Sequence, residues 1–268
     1  MNTDCTFFLS TYDGGEDLWK GFFKALSVQW PEMDMPIALS TETKSYDYPG
    51  YEIRALNSGK RRIPWAKRLR RALERVDTEF ILLFLEDFWL DSKVDDARFR
   101  QVLAWMKENP DVSTVSFYPC LPGENIDDGK LEGFELRPDT CEYKLNCQVA
   151  LWRREKLIEY IRPHESPWEF EIYGSKRASR YKERFYTYKT YTDLVFSYGD
   201  PNVGCLIHRG KWVEDVARRL DAMYDLHTDF SVRGFEDFDT VWIPEKHTKL
   251  RIFLYKIKLK LRELRSTI

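Results

Sequence analysis

Apolar positions in the first third of the chain alternate between short unbroken runs and helical stripes. Thr6-Phe7-Phe8-Leu9-Ser10-Thr11 reads as a strand, Tyr12-Asp13-Gly14-Gly15 as the turn that ends it, and Leu18, Phe22, Phe23 and Leu26 as the buried face of a helix. Residues 36–40 and 51–56 predict two further strands. Trp65, Leu69, Leu73 and Val76 fall on one face of a second helix, whose other face carries Lys67, Arg68, Arg70 and Arg71. Residues 80–85 are apolar without alternation, which predicts a strand buried on both faces of a parallel sheet. Strands alternating with helices predict a doubly wound α/β fold with a mostly parallel central sheet.

Beyond residue 95 the pattern loosens. Phe99, Val102, Leu103 and Met106 predict another helix, and residues 112–117 another strand. Residues 129–137 and 143–152 read as an antiparallel pair, 156–161 and 168–180 as helices separated by Pro163 and Pro167, and 185–197 and 204–208 as strand-forming. No linker rich in Gly, Ser or Pro divides the chain, so residues 1–245 are expected to form one domain and 246–268 a C-terminal tail.

Charge changes this picture at one end only. The formal net charge of −2 hides a tail in which residues 246–265 hold eight Lys or Arg against the single acid Glu263. That segment is +7 and the remainder −9. Drawn as a helix, residues 249–265 place Leu250, Phe253, Leu254, Ile257, Leu261 and Leu264 in one apolar stripe and Ile252, Tyr255 and Leu259 in another, with basic flanks. Such a basic amphipathic helix suits peripheral contact with an anionic membrane. A dimerisation or docking helix, and a β-strand over 255–262, are alternatives. An acidic body without a nucleic-acid motif argues against nucleic acid as a partner. The five cysteines form no CxxC pair, no run approaches the ~20 apolar residues of a membrane span, and the first residues lack a signal-peptide pattern. The expectation is a cytoplasmic protein, held by its tail at the inner face of the plasma membrane.

Candidate chemistry begins where the buried strand ends in Glu86-Asp87. Ligands of open α/β sheets bind beyond the carboxyl ends of strands, and carboxylates set there are costly unless a cation or a donor meets them. Mn²⁺ or Mg²⁺ bridging to a diphosphate would satisfy them; capping of the next turn is the plain alternative. The absence of GxGxxG, GxxxxGK[ST], HExxH and GxSxG argues against nicotinamide enzymes, P-loop ATPases, zincins and serine hydrolases.

Trp65-x-x-Arg68-Leu69-x-x-Ala72-Leu73, followed by Thr78-Glu79-Phe80-Ile81-Leu82-Leu83-Phe84-Leu85-Glu86-Asp87-Phe88-Trp89-Leu90, resembles the core of GT-A fold glycosyltransferases of bacterial surface-polysaccharide (capsule or lipopolysaccharide) pathways. The opening Leu9-Ser10-Thr11-Tyr12-Asp13 is similar to that family's first strand and nucleotide-contacting end. Gln148-Val149-Ala150-Leu151-Trp152 and Glu165-Ser166-Pro167-Trp168-Glu169-Phe170-Glu171 are similar to its acceptor side. The resemblance covers roughly residues 5 to 215. It implies a GT-A-like, Rossmann-like sheet and transfer of a hexose from a nucleotide sugar, a UDP-sugar, to a saccharide or lipid-linked saccharide. The acidic motif reads Glu86-Asp87 in place of Asp-x-Asp, which leaves Asp87 as metal ligand with His208 as a further donor. Thr11, Tyr12, Asp13, Trp65 and Arg68 are implied donor contacts. Arg61, Arg68 and the cluster His208-Arg209-Gly210-Lys211-Trp212, with Lys211 foremost, are candidates to neutralise the diphosphate, and Gln148 and Trp168 to meet the acceptor.

Inverting transfer needs a carboxylate as general base. Glu171 and Glu169, two residues apart on a helix, diverge by about 200°, so one of them serves. Glu171 is preferred because Trp168 and Phe170 can screen it from water and raise its pKa; an acidic first turn favouring the helix dipole explains both residues equally simply. A sugar-phosphate nucleotidyltransferase and a non-catalytic saccharide-binding or scaffold module are the competing readings. The former expects a first loop resembling Gly-x-Gly-Thr-Arg-Leu, which this chain lacks.

Overall fold

A computed structural model describes residues 4–59, 63–120, 125–199, 206–238 and 260–264. Arg61 and most of the tail lie outside these. An eight-stranded mixed sheet is built from β1 (Cys5–Ser10), β2 (Ile37–Ser40), β3 (Ile53–Ala55), β4 (Phe80–Leu85), β5 (Val112–Ser116), β6 (Phe134–Leu136), β7 (Ala150–Arg153) and β8 (Arg184–Tyr188), in the spatial order 3-2-1-4-7-5-8-6. Strands β3, β2, β1 and β4 are mutually parallel. Antiparallel β7 is inserted between β4 and β5, and β6 pairs antiparallel with β8.

The expected pairing of 129–137 with 143–152 is therefore replaced by two separate pairings. The physical reason is burial: Ala150, Leu151 and Trp152 are each covered on both faces, which a two-stranded hairpin cannot supply. β7 takes the central slot and leaves β6, whose Glu135 and Leu136 stay half-buried, as the edge strand.

Alternate residues of β1 and β4 enter opposite cores. Phe7, Leu9, Leu82 and Phe84 join α1 (Glu16–Gln29) and α3 (Asp96–Glu108) on one face; Phe8, Ile81 and Leu83 join α2 (Trp65–Leu73) and α4 (Arg154–Tyr160) on the other. Phe84 stacks on Phe7 at 4.9 Å between centroids and meets Phe22 and Phe196 edge-on. Asp95 caps α3 by accepting from the Arg98 amide at 2.9 Å.

Pro167 opens a helical run assembled from α5 (Pro167–Glu169), a π turn (Phe170–Gly174) and α6 (Ser175–Ala178). The run is anchored from below by a buried fork between Arg177 and Glu165, at 2.6 and 2.8 Å. A hairpin of β9 (Ile207–His208) and β10 (Lys211–Trp212) precedes α7 (Glu214–Tyr224), a helix the hydrophobic pattern does not announce. Residues 260–264 are helical and touch the helical run through Arg262–Glu169 and Lys176–Glu263.

Gly21 in α1 faces Trp89, whose ring atoms would lie 2.1 Å from an added Cβ. Gly→Ala inside a helix ordinarily gains about 1 kcal/mol. Here overpacking against a buried indole should outweigh that gain. Gly21→Ala is expected to lower stability by about 1–3 kcal/mol, read as a reduced midpoint in urea denaturation; an unchanged or raised midpoint would contradict the packing.

Candidate active site

The carboxyl ends of β1 and β4 lie side by side, Ser10 paired with Leu85 and, on its other side, with Ser40. Beyond them opens a cavity of about 590 Å³. Thr11, Tyr12, Trp65, Arg68, Glu86, Asp87, Gln148, Trp168 and Glu171 all line it, from segments up to 160 positions apart in the chain. Asp13, Glu169, His208 and Lys211 are outside the lining.

Local bonding explains the division. Asp13 accepts from the amides of Glu42, Thr43 and Lys44 and from the Thr43 hydroxyl. Burial raises its pKa, but these bonds outweigh it and hold the carboxyl below the usual range. In return the Asp13 amide donates to Glu42 Oε2 at 2.6 Å, while Glu42 Oε1 accepts from Arg68 Nη1 at 2.6 Å. Glu42 and Arg68 are both buried, so Asp13 organises the floor from behind and Arg68 reaches the cavity with a paired charge. Thr11 is fixed by the indole N–H of Trp19 at 2.9 Å.

Glu86 and Asp87 occupy the turn after β4, closed by the Phe88 amide bonding back to the Leu85 carbonyl at 3.2 Å. Phe88 stacks on Tyr198 at 4.5 Å, and buried Trp89 meets Trp212, so aromatic anchors immediately after the motif fix its aim. Gly15 lies under Glu86, where an added Cβ would stand 3.0 Å from the carboxylate. Although part of Glu86 reaches solvent, its carboxyl is desolvated. That burial, reinforced by the Asp87 charge, pushes its pKa up to about 8 against the pull of Arg68 and Arg233. Glu86 and the adjacent Asp87 are oxygen donors of the kind that could hold a hard divalent cation. His208 is turned elsewhere, its ring stacked on Phe238 and Nδ1 3.5 Å from Glu236. Among the described residues no three His, Cys, Asp or Glu side chains form a metal-sized cluster.

Across the cavity, the π turn carries Glu171. Its Oε1 accepts the Cys147 amide at 2.9 Å, and burial lifts its pKa above the usual range despite the bonds from Cys147. Extra residues in a helical turn are frequent at functional sites; here the Ser175 hydroxyl, which donates to the Glu171 carbonyl at 2.5 Å, ties the turn. Glu169 instead closes a capping box, its carboxylate accepting the Ser166 amide at 2.9 Å and its own amide donating to Ser166 Oγ. Gln148 Oε1 accepts from the Tyr198 hydroxyl at 2.8 Å, and Trp168 stands 72% exposed at the rim.

Three arginines line the cavity, Arg68, Arg209 and Arg233, of which the sequence reading omitted Arg233. Arg233 forks onto Asp17 of α1 with both bonds at 2.6 Å and donates to the Gly14 carbonyl. Arg209 and Gly210 form the two-residue tip of the β9–β10 hairpin, with φ of 49° and 82°, the positive pair of a type I′ turn. The tip lines the cavity through both residues. Lys211, one residue on, is exposed on β10. Arg233 carries no local signal of its place; Glu42, two residues past β2, lies just beyond a strand end, as Glu86 does one residue past β4.

Comparison by sequence with family models and with curated proteins finds no match. Comparison of folds finds similar solved structures at low identity. TarS residues 1–349 of S. aureus, in complex with UDP-GlcNAc, is 14% identical with a TM-score of 0.47 over 84% of this chain and 67% of that one. Galactosyltransferase LgtC with donor and acceptor sugar analogues is 13% identical with a TM-score of 0.36, over 58% and 59%. A UDP-glucose pyrophosphorylase complexed with UDP-glucose is 10% identical with a TM-score of 0.50, over 83% and 98%. The chain thus spans about two thirds of the length of the TarS fragment and nearly all of the pyrophosphorylase. What this likeness establishes is the architecture: a GT-A-like α/β fold, with a large mixed sheet of eight strands flanked by helices.

Proposed function

We propose that this chain is an inverting glycosyltransferase that moves a hexose from a UDP-sugar to a saccharide or lipid-linked saccharide acceptor in cell-surface polysaccharide synthesis. The observation that carries the reading is the placement of Glu171, a desolvated carboxylate held by the Cys147 amide, in the same cavity as Asp87 and Arg209. An acceptor hydroxyl beside Glu171 gives its proton to that carboxylate as its oxygen bonds to the anomeric carbon. The bond from that carbon to the diphosphate breaks, and UDP leaves toward Asp87 and Arg209. Mn²⁺ or Mg²⁺ held by Asp87 and Glu86 would supply charge neutralisation at the diphosphate. Thr11 and Tyr12 border the nucleoside end, and Trp168 and Gln148 the acceptor end. The basic tail, 246–268, would hold this site near a membrane-borne acceptor.

Glu171→Gln should lower kcat about 10²- to 10⁴-fold with UDP affinity kept, and wild-type kcat should climb as pH rises through the raised pKa of Glu171. With a UDP-sugar, hydrolysis or transfer by the wild type must release UDP; release of pyrophosphate from UTP and a sugar 1-phosphate would favour a nucleotidyltransferase, and full activity in Glu171→Gln would remove the base. In calorimetric titration with UDP and Mn²⁺, Arg209→Ala is expected to weaken binding about tenfold or more, one charge-assisted contact of roughly 1.5–3 kcal/mol, with Arg209→Lys intermediate and chelation of Mn²⁺ weakening the wild type. Affinity indifferent to all three would contradict the diphosphate site. For the tail, flotation with vesicles containing phosphatidylglycerol should capture the full chain and release a chain lacking residues 246–268; equal capture of both would contradict membrane contact.

A further inference from the structure

A second cavity of about 550 Å³ lies along the same helical run that carries Glu171. Trp168, Glu171, Ile172, Ser175, Lys176 and Ser179 recur at spacings of three and four, one face of a helix. The first two of these line the cavity already described, whereas Ile172, Ser175, Lys176 and Ser179 line the second. Eleven residues at 1.5 Å each make this face roughly 16 Å long.

The opposite wall is continuous as well. Residues 139–148 run antiparallel to the helical run, stitched to it at three successive points. The Cys147 amide donates to Glu171 Oε1 and the Leu145 amide to Ser175 Oγ, each at 2.9 Å, and the Ser179 hydroxyl donates to the Asp139 carbonyl at 2.5 Å. The two cavities thus follow one another along the same pair of segments.

Their linings suit one kind of molecule. Exposed aromatic faces stand at both ends, Trp168 at the first cavity and Tyr143, 38% exposed, at the second, with Ile172, 45% exposed, between them. Thr140, Glu142 and Lys176 add polar groups around the second cavity. Aromatic and aliphatic platforms edged by hydroxyl, carboxylate and ammonium groups match a chain with apolar ring faces and many hydroxyls. Tyr143 is also held at φ 52°, a left-handed conformation unusual for a bulky residue and concentrated at ligand clamps.

We infer that the second cavity binds the remainder of an oligosaccharide acceptor, several sugars long, whose terminal hydroxyl lies at Glu171. The inference rests on the transferase reading and gives it a substrate class: an oligosaccharide in preference to a single sugar.

The test uses the full chain with saturating UDP and Mn²⁺ on a glycan array carrying mono- to hexasaccharide fragments of surface polysaccharides. Binding is expected to rise at least tenfold from mono- to tri- or tetrasaccharide fragments of one series. Tyr143→Gly, which removes the ring at a backbone conformation glycine adopts freely, and Ile172→Asp should each abolish that gain while UDP affinity in solution stays unchanged. No saccharide binding, binding that does not depend on length, or a gain that survives both variants would overturn the inference. Length-dependent binding by a chain that fails to bind UDP would uphold the cleft and remove the transferase reading, so the two fail separately.

Discussion

Glu42 and Arg68 come from a loop and a helix 26 residues apart, and each is almost wholly buried at the floor of the cavity. Neither charge is tenable there alone, since removing one partner of a buried pair typically costs about 3–5 kcal/mol. Their pairing therefore constrains everything around them. Glu42 takes the Asp13 amide with its second oxygen, Asp13 takes three amides of the following loop, and the ends of β1 and β2 are locked together. Arg68 brings α2, and with it Trp65, against the same point. On this side of the cavity the charges are mutually satisfied.

The opposite side is built on a different economy of charge. Glu86, Asp87 and Glu171 line one cavity, with burial raising both glutamates. Under the proposed reading these carboxylates would meet a cation at Glu86 and Asp87 and a hydroxyl proton at Glu171. The arginines are divided accordingly. Arg68 and Arg233 pair with Glu42 and Asp17, while Arg209 lines the cavity from a hairpin tip.

Much of this is written in local sequence. Unbroken apolar runs mark β1 and β4 because both faces of each are buried, and a strand ending in Glu86-Asp87 marks the site because such carboxylates demand a partner. Trp168 and Phe170 neighbour both Glu169 and Glu171, and only the fold separates the two: Glu171 lines the cavity, and Glu169 closes a capping box. What escapes local reading is set by distant neighbours. The neighbours of β7 are β4 and β5, about 70 and 35 residues earlier, a choice decided by where Leu151 and Trp152 can be covered rather than by their own alternation. Helix α7 buries Val216, Ala217, Leu220 and Tyr224, but Glu214, Asp215, Arg218, Arg219 and Asp221 dilute that stripe. Asp13 looks like a ligand contact in sequence because the loop it organises lies about 30 residues away. Arg233 approaches the cavity only because Asp17, 216 positions earlier, holds it there.

The central claim is that one cavity holds a nucleotide diphosphate between the β4 carboxylates and the hairpin arginine, with Glu171 facing it. A crystal structure of the chain with UDP and Mn²⁺ tests this most directly. Uridine is predicted beside Thr11 and Tyr12, with the diphosphate between Asp87 and Arg209 and open space in front of Glu171. UDP bound at another surface, or its phosphates turned away from both Asp87 and Arg209, would contradict the account.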